Sequence, residues 1–200
     1  MPPPATAKGL AKTVVKAIQG QHASVFIDQL AERLAFERTG VRLYEALLCR
    51  YDSAEPGVGA PTRGQIEHLM NEELQHFDLV QKAIVKLGAD PTVMTPSADV
   101  MGTASAGLLA VLSDARSTFT EGLKAILVAE LADNDGWNTL ARMAAQLGQD
   151  DLAEDFRKAL DEETEHLSSV RAWLENALLG QAGLGAQAAA PAPDQPQPGA

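Results

Sequence analysis

A single cysteine, Cys49, among 200 residues leaves no partner for an intramolecular disulfide and no C-x-x-C pair for redox or zinc chemistry. Its neighbours Leu47, Leu48 and Tyr51 follow a helical pattern, so Cys49 is predicted to be a small buried apolar residue. Basic charge is also scarce: 16 Lys and Arg stand against 27 Asp and Glu, a net charge of −11. That balance argues against a nucleic-acid partner, which calls for a basic face, and against an anionic membrane surface. No run approaches eighteen uninterrupted apolar residues, so no membrane span is expected. The opening Met1-Pro2-Pro3-Pro4 lacks the apolar core of a secretory signal, and the expected compartment is the cytoplasm. Histidine occurs only at His22, His68, His76 and His166.

What is abundant is helical periodicity. Residues 24–52 place Phe26, Leu30, Leu34, Glu37, Val41, Tyr44 and Leu48 along one face, which predicts a first long helix. Residues 53–61 are turn material. Thr62 and Gln65 form a capping box for a second helix, which Gly88 ends. A third helix is predicted over about 113–147, with Thr118 and Glu121 as a later start. A fourth runs from an Asp150 N-cap to about Leu179, closed by Gly180. An interior proline costs about 3 kcal/mol in a helix, and all eleven prolines fall outside these four segments.

The short links pair helices one with two and three with four. The long link 89–112 can travel the height of a bundle, and its Met101–Leu112 piece can form a helix of its own. The fold class is therefore all-α: a four-helix bundle with one long crossover between helices two and three. Residues 8–19, with Leu10, Val14 and Ile18 four apart, add a short N-terminal helix. The domain expectation is an N-terminal segment 1–20, a bundle 21–180 and a disordered Ala/Pro/Gln tail 181–200.

Two E-E-x-x-H stretches, Glu72 to His76 and Glu162 to His166, lie 90 residues apart. A Glu and a His three apart share a helix face and can serve one metal ion. The other helix of each half repeats too: Glu37 and Tyr44 stand 93 residues before Glu130 and Trp137. The halves are thus related by an internal pseudo-two-fold. Counting from the helix ends brings Glu37, Glu73, His76, Glu130, Glu163 and His166 to one height at mid-bundle.

Four carboxylates in an apolar core cannot all stay ionised unaided. Two divalent cations would neutralise them with both imidazoles uncharged. Carboxylate oxygen with imidazole suits iron or manganese, and also zinc. A pair bridged by carboxylates would sit roughly 3.5–4 Å apart. Such a pair can exchange two electrons with O2 or peroxide. Glu72 and Glu162, each four before a His, are alternative chelators to Glu73 and Glu163. Gly40 and Gly136 are expected to permit close helix approach near the ligands. His68 is expected to pair with Glu72 at the surface.

The set Glu37, Glu73-x-x-His76, Glu130, Glu163-x-x-His166 resembles the ferritin-like di-iron carboxylate superfamily over roughly residues 24–179. The resemblance implies that Glu73 and Glu163 bridge or chelate, that Glu37 and Glu130 are terminal ligands, and that each His holds one metal. It implies two iron ions, or two manganese ions, as cofactor. Tyr44 falls where bacterioferritins and rubrerythrins carry a tyrosine near the metals, which assigns it a redox or supporting role. Leu74 stands in place of the bacterioferritin haem methionine, so haem is not implied. One cysteine excludes a rubredoxin module. Asp133, three after Glu130, is either a seventh ligand of the rubrerythrin kind or a solvated carboxylate.

The expected function is Fe2+ oxidation, or consumption of peroxide or O2, in stress protection, with a homodimer as an expected assembly. The rival readings are a metal-free helical scaffold or interaction protein, and a monooxygenase acting on an organic substrate.

Overall fold

The computed structural model describes residues 7–54, 57 and 59–184, with the backbone alone for residues 7–19 and 21. Five helices follow in order: α1 (Ala7–Tyr51), α2 (Arg63–Lys86), α3 (Pro96–Ser113), α4 (Phe119–Gln146) and α5 (Asp150–Gln181). Among the described residues there is no strand.

Helix ends follow local chemistry. Thr62 accepts a hydrogen bond from the Gln65 backbone N–H while the Gln65 side chain accepts from the Thr62 N–H, and this capping box starts α2. Thr118 and Glu121 do the same for α4, so α4 begins at Phe119 and not near residue 113. Gly88 and Gly148 close α2 and α4 at φ of 81° and 67°, the left-handed region a side chain disfavours. The start of α5 departs from expectation: Gln149 is the N-cap, without a side-chain bond, and Asp150 is already helical. The helix also passes Gly180, ending at Gln181, with Gly183 taking positive φ.

A separate N-terminal helix over 8–19 is not formed. Those residues are continuous with α1. Gly20 alone costs only about 1 kcal/mol of helix propensity, and no proline intervenes to force a break. Residues 1–6 and 185–200, including most of the expected tail, lie outside the described residues.

Two apolar clusters set the helix directions. One joins Leu43, Leu47 and Leu48 of α1 to Ile66 and Leu69 of α2, Leu123 and Ile126 of α4, and Val170, Trp173 and Leu174 of α5. The other joins Phe26, Leu30 and Leu34 to Val80 and Ile84, to Leu140 and Ala144, and to Leu152 and Phe156. Residues 26–34 of α1 thus meet late α2 while its last turns meet early α2, and late α4 meets early α5. Each pair is antiparallel, as the short links require. The polar face predicted at mid-height falls between the clusters.

The crossover helix α3 is longer than expected, 18 residues or about 27 Å of rise, and runs parallel to α1. Its N-terminus is fixed by Asp28, whose carboxylate accepts from the Ser97 backbone N–H at 3.1 Å and the Ser97 hydroxyl at 2.6 Å. Its C-terminus is fixed by Arg50, which donates to the Leu112 carbonyl at 2.7 Å and also to the Asp114 and Ser117 carbonyls. An anion at the start and a cation at the end both match the helix dipole.

Cys49 is exposed, not buried. The core face of α1 is taken by Leu43, Tyr44, Leu47 and Leu48, and position 49 falls outside that stripe. His22, within α1, is exposed.

Candidate metal centre

Glu37 from α1, Glu73 and His76 from α2, Glu130 from α4, and Glu163 and His166 from α5 meet between the two apolar clusters, and all are buried. Three groupings bring ligand atoms within 4.8 Å of one another: Glu73, Glu130, Glu163 and His166; Glu37, His76 and Glu163; and Glu37, Glu73, Asp133 and Glu163. Glu163 belongs to all three. The first two form a pair of neighbouring subsites, each with one imidazole, and Glu163 spans them.

The imidazoles turn Nδ1 inward. His166 Nδ1 lies 3.5 Å from Glu163 Oε2, 3.6 Å from Glu73 Oε1 and 3.8 Å from Glu130 Oε2. His76 Nδ1 lies 2.7 Å from Glu163 Oε1. Both outer nitrogens cross to the opposite helix, His76 Nε2 to Glu162 at 2.7 Å and His166 Nε2 to Glu72 at 2.9 Å. Glu72 and Glu162 therefore fix imidazole orientation from outside and do not join the inner cluster. A carboxylate accepting the outer N–H leaves Nδ1 as a lone-pair donor. Glu72 also meets exposed His68 at 3.5 Å, the surface pair expected from sequence.

Burial sets the charge state of the metal-free cluster. It pushes Glu37, Glu73 and Asp133 well above the usual carboxylate range, with neighbouring carboxylates reinforcing it. Burial, then Glu163, raises Glu130 to about 8. Glu163 goes the other way. Although burial opposes ionisation, the imidazoles of His166 and His76, 3.5 and 2.7 Å from its oxygens, hold it at about 2. Against a burial penalty of its own, His166 is raised by Glu163 and Glu73 to about 12. Without cations, then, protons neutralise the cluster.

Several buried atoms nevertheless lack a hydrogen-bond partner: Glu37 Oε2, Glu73 Oε2, Glu130 Oε2, both Glu163 oxygens, and Nδ1 of His76 and His166. Buried polar atoms are ordinarily paired. Orphaned oxygens and inward imidazole nitrogens facing one space fit a pair of divalent cations, with hard oxygen and borderline nitrogen donors.

Two residues tie the cluster to its surroundings. The Tyr44 hydroxyl donates to Glu130 Oε1 at 2.5 Å, and burial, then Glu130, raises its pKa well above the ordinary value. Arg33 was not singled out from sequence. It is buried, pairs with Asp133, and lies 3.5 Å from Glu37 Oε1. Asp133 is accordingly buried against a guanidinium and is not a solvated carboxylate. The missed signal was position: Arg33 falls at the i, i+3, i+4, i+7 spacing of Leu30, Leu34 and Glu37, so a charged residue stood on the core face.

The two glycines make room for side chains more than for helices. A Cβ on Gly40 would overlap the Glu73 carboxylate, and one on Gly136 would overlap the Arg33 guanidinium.

The chain belongs to the Ferritin-like domain family, whose pattern matches residues 27–179. Among solved structures it is similar to "ferritin like, diiron-carboxylate proteins from Bacillus anthracis str. Ames", with 17% identity over 76% of this chain and 97% of that one and a TM-score of 0.57. At that identity the likeness concerns the fold. No curated protein matches the chain. No helix among the described residues is long and apolar enough to cross a membrane.

Proposed function

We propose that the chain is a di-metal carboxylate protein that holds two iron or two manganese ions and oxidises Fe2+ or consumes O2 or peroxide. The observation that carries this reading is the set of orphaned buried oxygens and imidazole nitrogens at mid-bundle. Close imidazole–carboxylate contacts still leave these buried atoms without aligned hydrogen bonds, a cost that bound cations would remove. The solved structure named above, described as diiron-carboxylate, supports the same cofactor class.

In this reading Glu163 and Glu73 would be shared between the ions, Glu37 and Glu130 would each serve one, and Nδ1 of His76 and His166 would complete one subsite each. When bound, the ions supply reversible two-electron exchange with O2 or peroxide. The protein's share is placement and dryness. Glu162 and Glu72 keep each imidazole in the tautomer that ligates. The apolar clusters on either side exclude bulk water. Tyr44 holds a proton on its phenol oxygen beside Glu130, at a site where burial opposes ionisation. A groove of about 920 Å³ between α1, α4 and α5 touches none of the ligands, so it does not favour an organic substrate at the metals.

The test is metal content after anaerobic reconstitution with Fe2+ or Mn2+, followed by O2 and H2O2 consumption. Two ions per chain are expected, with Glu163→Ala losing both. A wild-type chain that retains no iron or manganese after desalting would sink the proposal.

A further inference from the structure

The internal repeat equates the two halves, so residues that break it show where they differ. Shifted by the 93-residue spacing, Arg33 corresponds to Ile126 and Asp133 to Gly40. One half of the centre therefore carries a buried guanidinium and an extra carboxylate. The other carries a methyl-bearing side chain and a hydrogen at those places. The terminal glutamates are consequently held by different donors. Glu130 accepts from a neutral phenol, Tyr44. Glu37 lies beside the permanent cation of Arg33. Trp137, the counterpart of Tyr44, packs edge-on against His76 with ring centres 5.3 Å apart and takes no part in holding Glu37.

Building on the di-metal reading, we propose that Arg33 makes the two metal subsites unequal: the Glu130–His166 subsite binds first and tightly, and the Glu37–His76 subsite is the weak, exchangeable one. The Arg33 guanidinium, its charge offset in part by Asp133, competes with an incoming divalent cation for the Glu37 oxygen it lies beside. A phenol carries no such charge. A cavity of about 290 Å³ between α1, α3 and α4 is lined by Arg33 and Gly136, with Glu32 and Asp135 beside them, and by none of the ligands.

Arg33 is held in its place by several contacts at once. Its guanidinium lies 4.9 Å from the Phe36 ring centre and 5.9 Å from that of Trp137, pairs with Asp133, and occupies the space a Gly136 side chain would need. It acts on the metal through Glu37, as a positioning residue and not as a ligand.

Anaerobic titration with Co2+, followed by calorimetry and visible absorption, reads the two steps directly. The wild-type chain is expected to bind two Co2+ with dissociation constants at least about tenfold apart. His76→Ala should remove only the weaker step, and His166→Ala the tighter one. Arg33→Ile combined with Asp133→Gly copies the other half without leaving an unpaired charge, and should bring the steps together. Arg33→Lys keeps the cation and should keep the gap. Two Co2+ bound with only the statistical separation of identical sites would overturn the inequality alone. So would a gap that persists in the double variant, or loss of the tight step in His76→Ala. If the double variant does not fold, the two histidine variants decide. No Co2+ bound by wild type would overturn the di-metal reading, and this inference with it.

Discussion

Gly40→Ala separates the metal-site account from ordinary helix energetics. In a plain helix the substitution stabilises by up to about 1 kcal/mol. Here the added methyl would overlap one oxygen of Glu73 and stand 3.0 Å from its carboxyl carbon. The carboxylate is the free end of a side chain and can yield, so the metal-free protein should stay within about 4 °C of the wild-type Tm, at roughly 2–4 °C per kcal/mol for this size. Metal binding should suffer far more, because Glu73 stands in two of the three ligand groupings. At 100 times Kd, a bound ion stabilises the fold by about 2.7 kcal/mol, a rise of about 5–11 °C. If displacement of Glu73 weakens binding about 100-fold, the same ion concentration gives about 0.4 kcal/mol, near 1 °C. The assay is differential scanning fluorimetry with and without Mn2+. A variant that keeps the full wild-type shift would show that Glu73 is not a ligand in its observed position.

Tyr44→Phe removes the donor to Glu130, and should leave Co2+ stoichiometry at wild-type level while lowering stability by about 1 kcal/mol in urea unfolding; loss of an ion would show that the hydroxyl is needed for loading. Glu162→Gln and Glu72→Gln each weaken the outer grip on an imidazole, and each should lower Co2+ affinity about 10–100-fold with stoichiometry kept; calorimetry reads both, and unchanged affinity would deny the outer carboxylates an orienting role. Asp28 is held below its ordinary value of 3.8, first by the Ser97 hydroxyl. A depressed folded-state pKa means its support of α3 is present above 3.8 and is lost as pH falls through the lower folded value. Protection factors in α3, taken relative to intrinsic exchange at each pH, should therefore fall in acid for the wild-type chain, whereas Asp28→Asn should show the lower protection already at neutral pH; identical protection in the two would refute it.

Much of the centre was legible because its chemistry is written at helical spacing. Glu73 and His76 share a face by being three apart, and the 93- and 90-residue repeats tied four helices together before any coordinate. Helix ends were legible where a side chain makes the cap, as at Thr62, and less so at the start of α5, where Gln149 caps without a side-chain bond. The continuity of α1 through Gly20 was missed because a lone glycine weakens a helix without ending it. Cys49 was misplaced because neighbouring apolar residues do not fix which side of the stripe a position takes. The roles of Glu72 and Glu162 were open because spacing puts both Glu-His pairs within reach. Only packing shows that each bonds the histidine of the other half.

Arg33 illustrates a deeper limit. Its meaning lies in Asp133, 100 residues away in sequence, and in the hydrogen that Gly136 offers in place of a side chain. No local pattern joins these three. A repeat detected by spacing shows where two halves agree, and agreement is enough to build a symmetric centre. A symmetric centre, however, gives neither ion a reason to arrive or leave before the other. That difference must come from residues with no counterpart, and here they gather around Glu37: a cation, its paired carboxylate, and the glycine that admits the guanidinium. The opposite half is closed by Tyr44 and by Leu43, Leu47 and Ile126, all buried. On the proposed reading one side would retain its ion and the other exchange it, as a centre that oxidises Fe2+ would require.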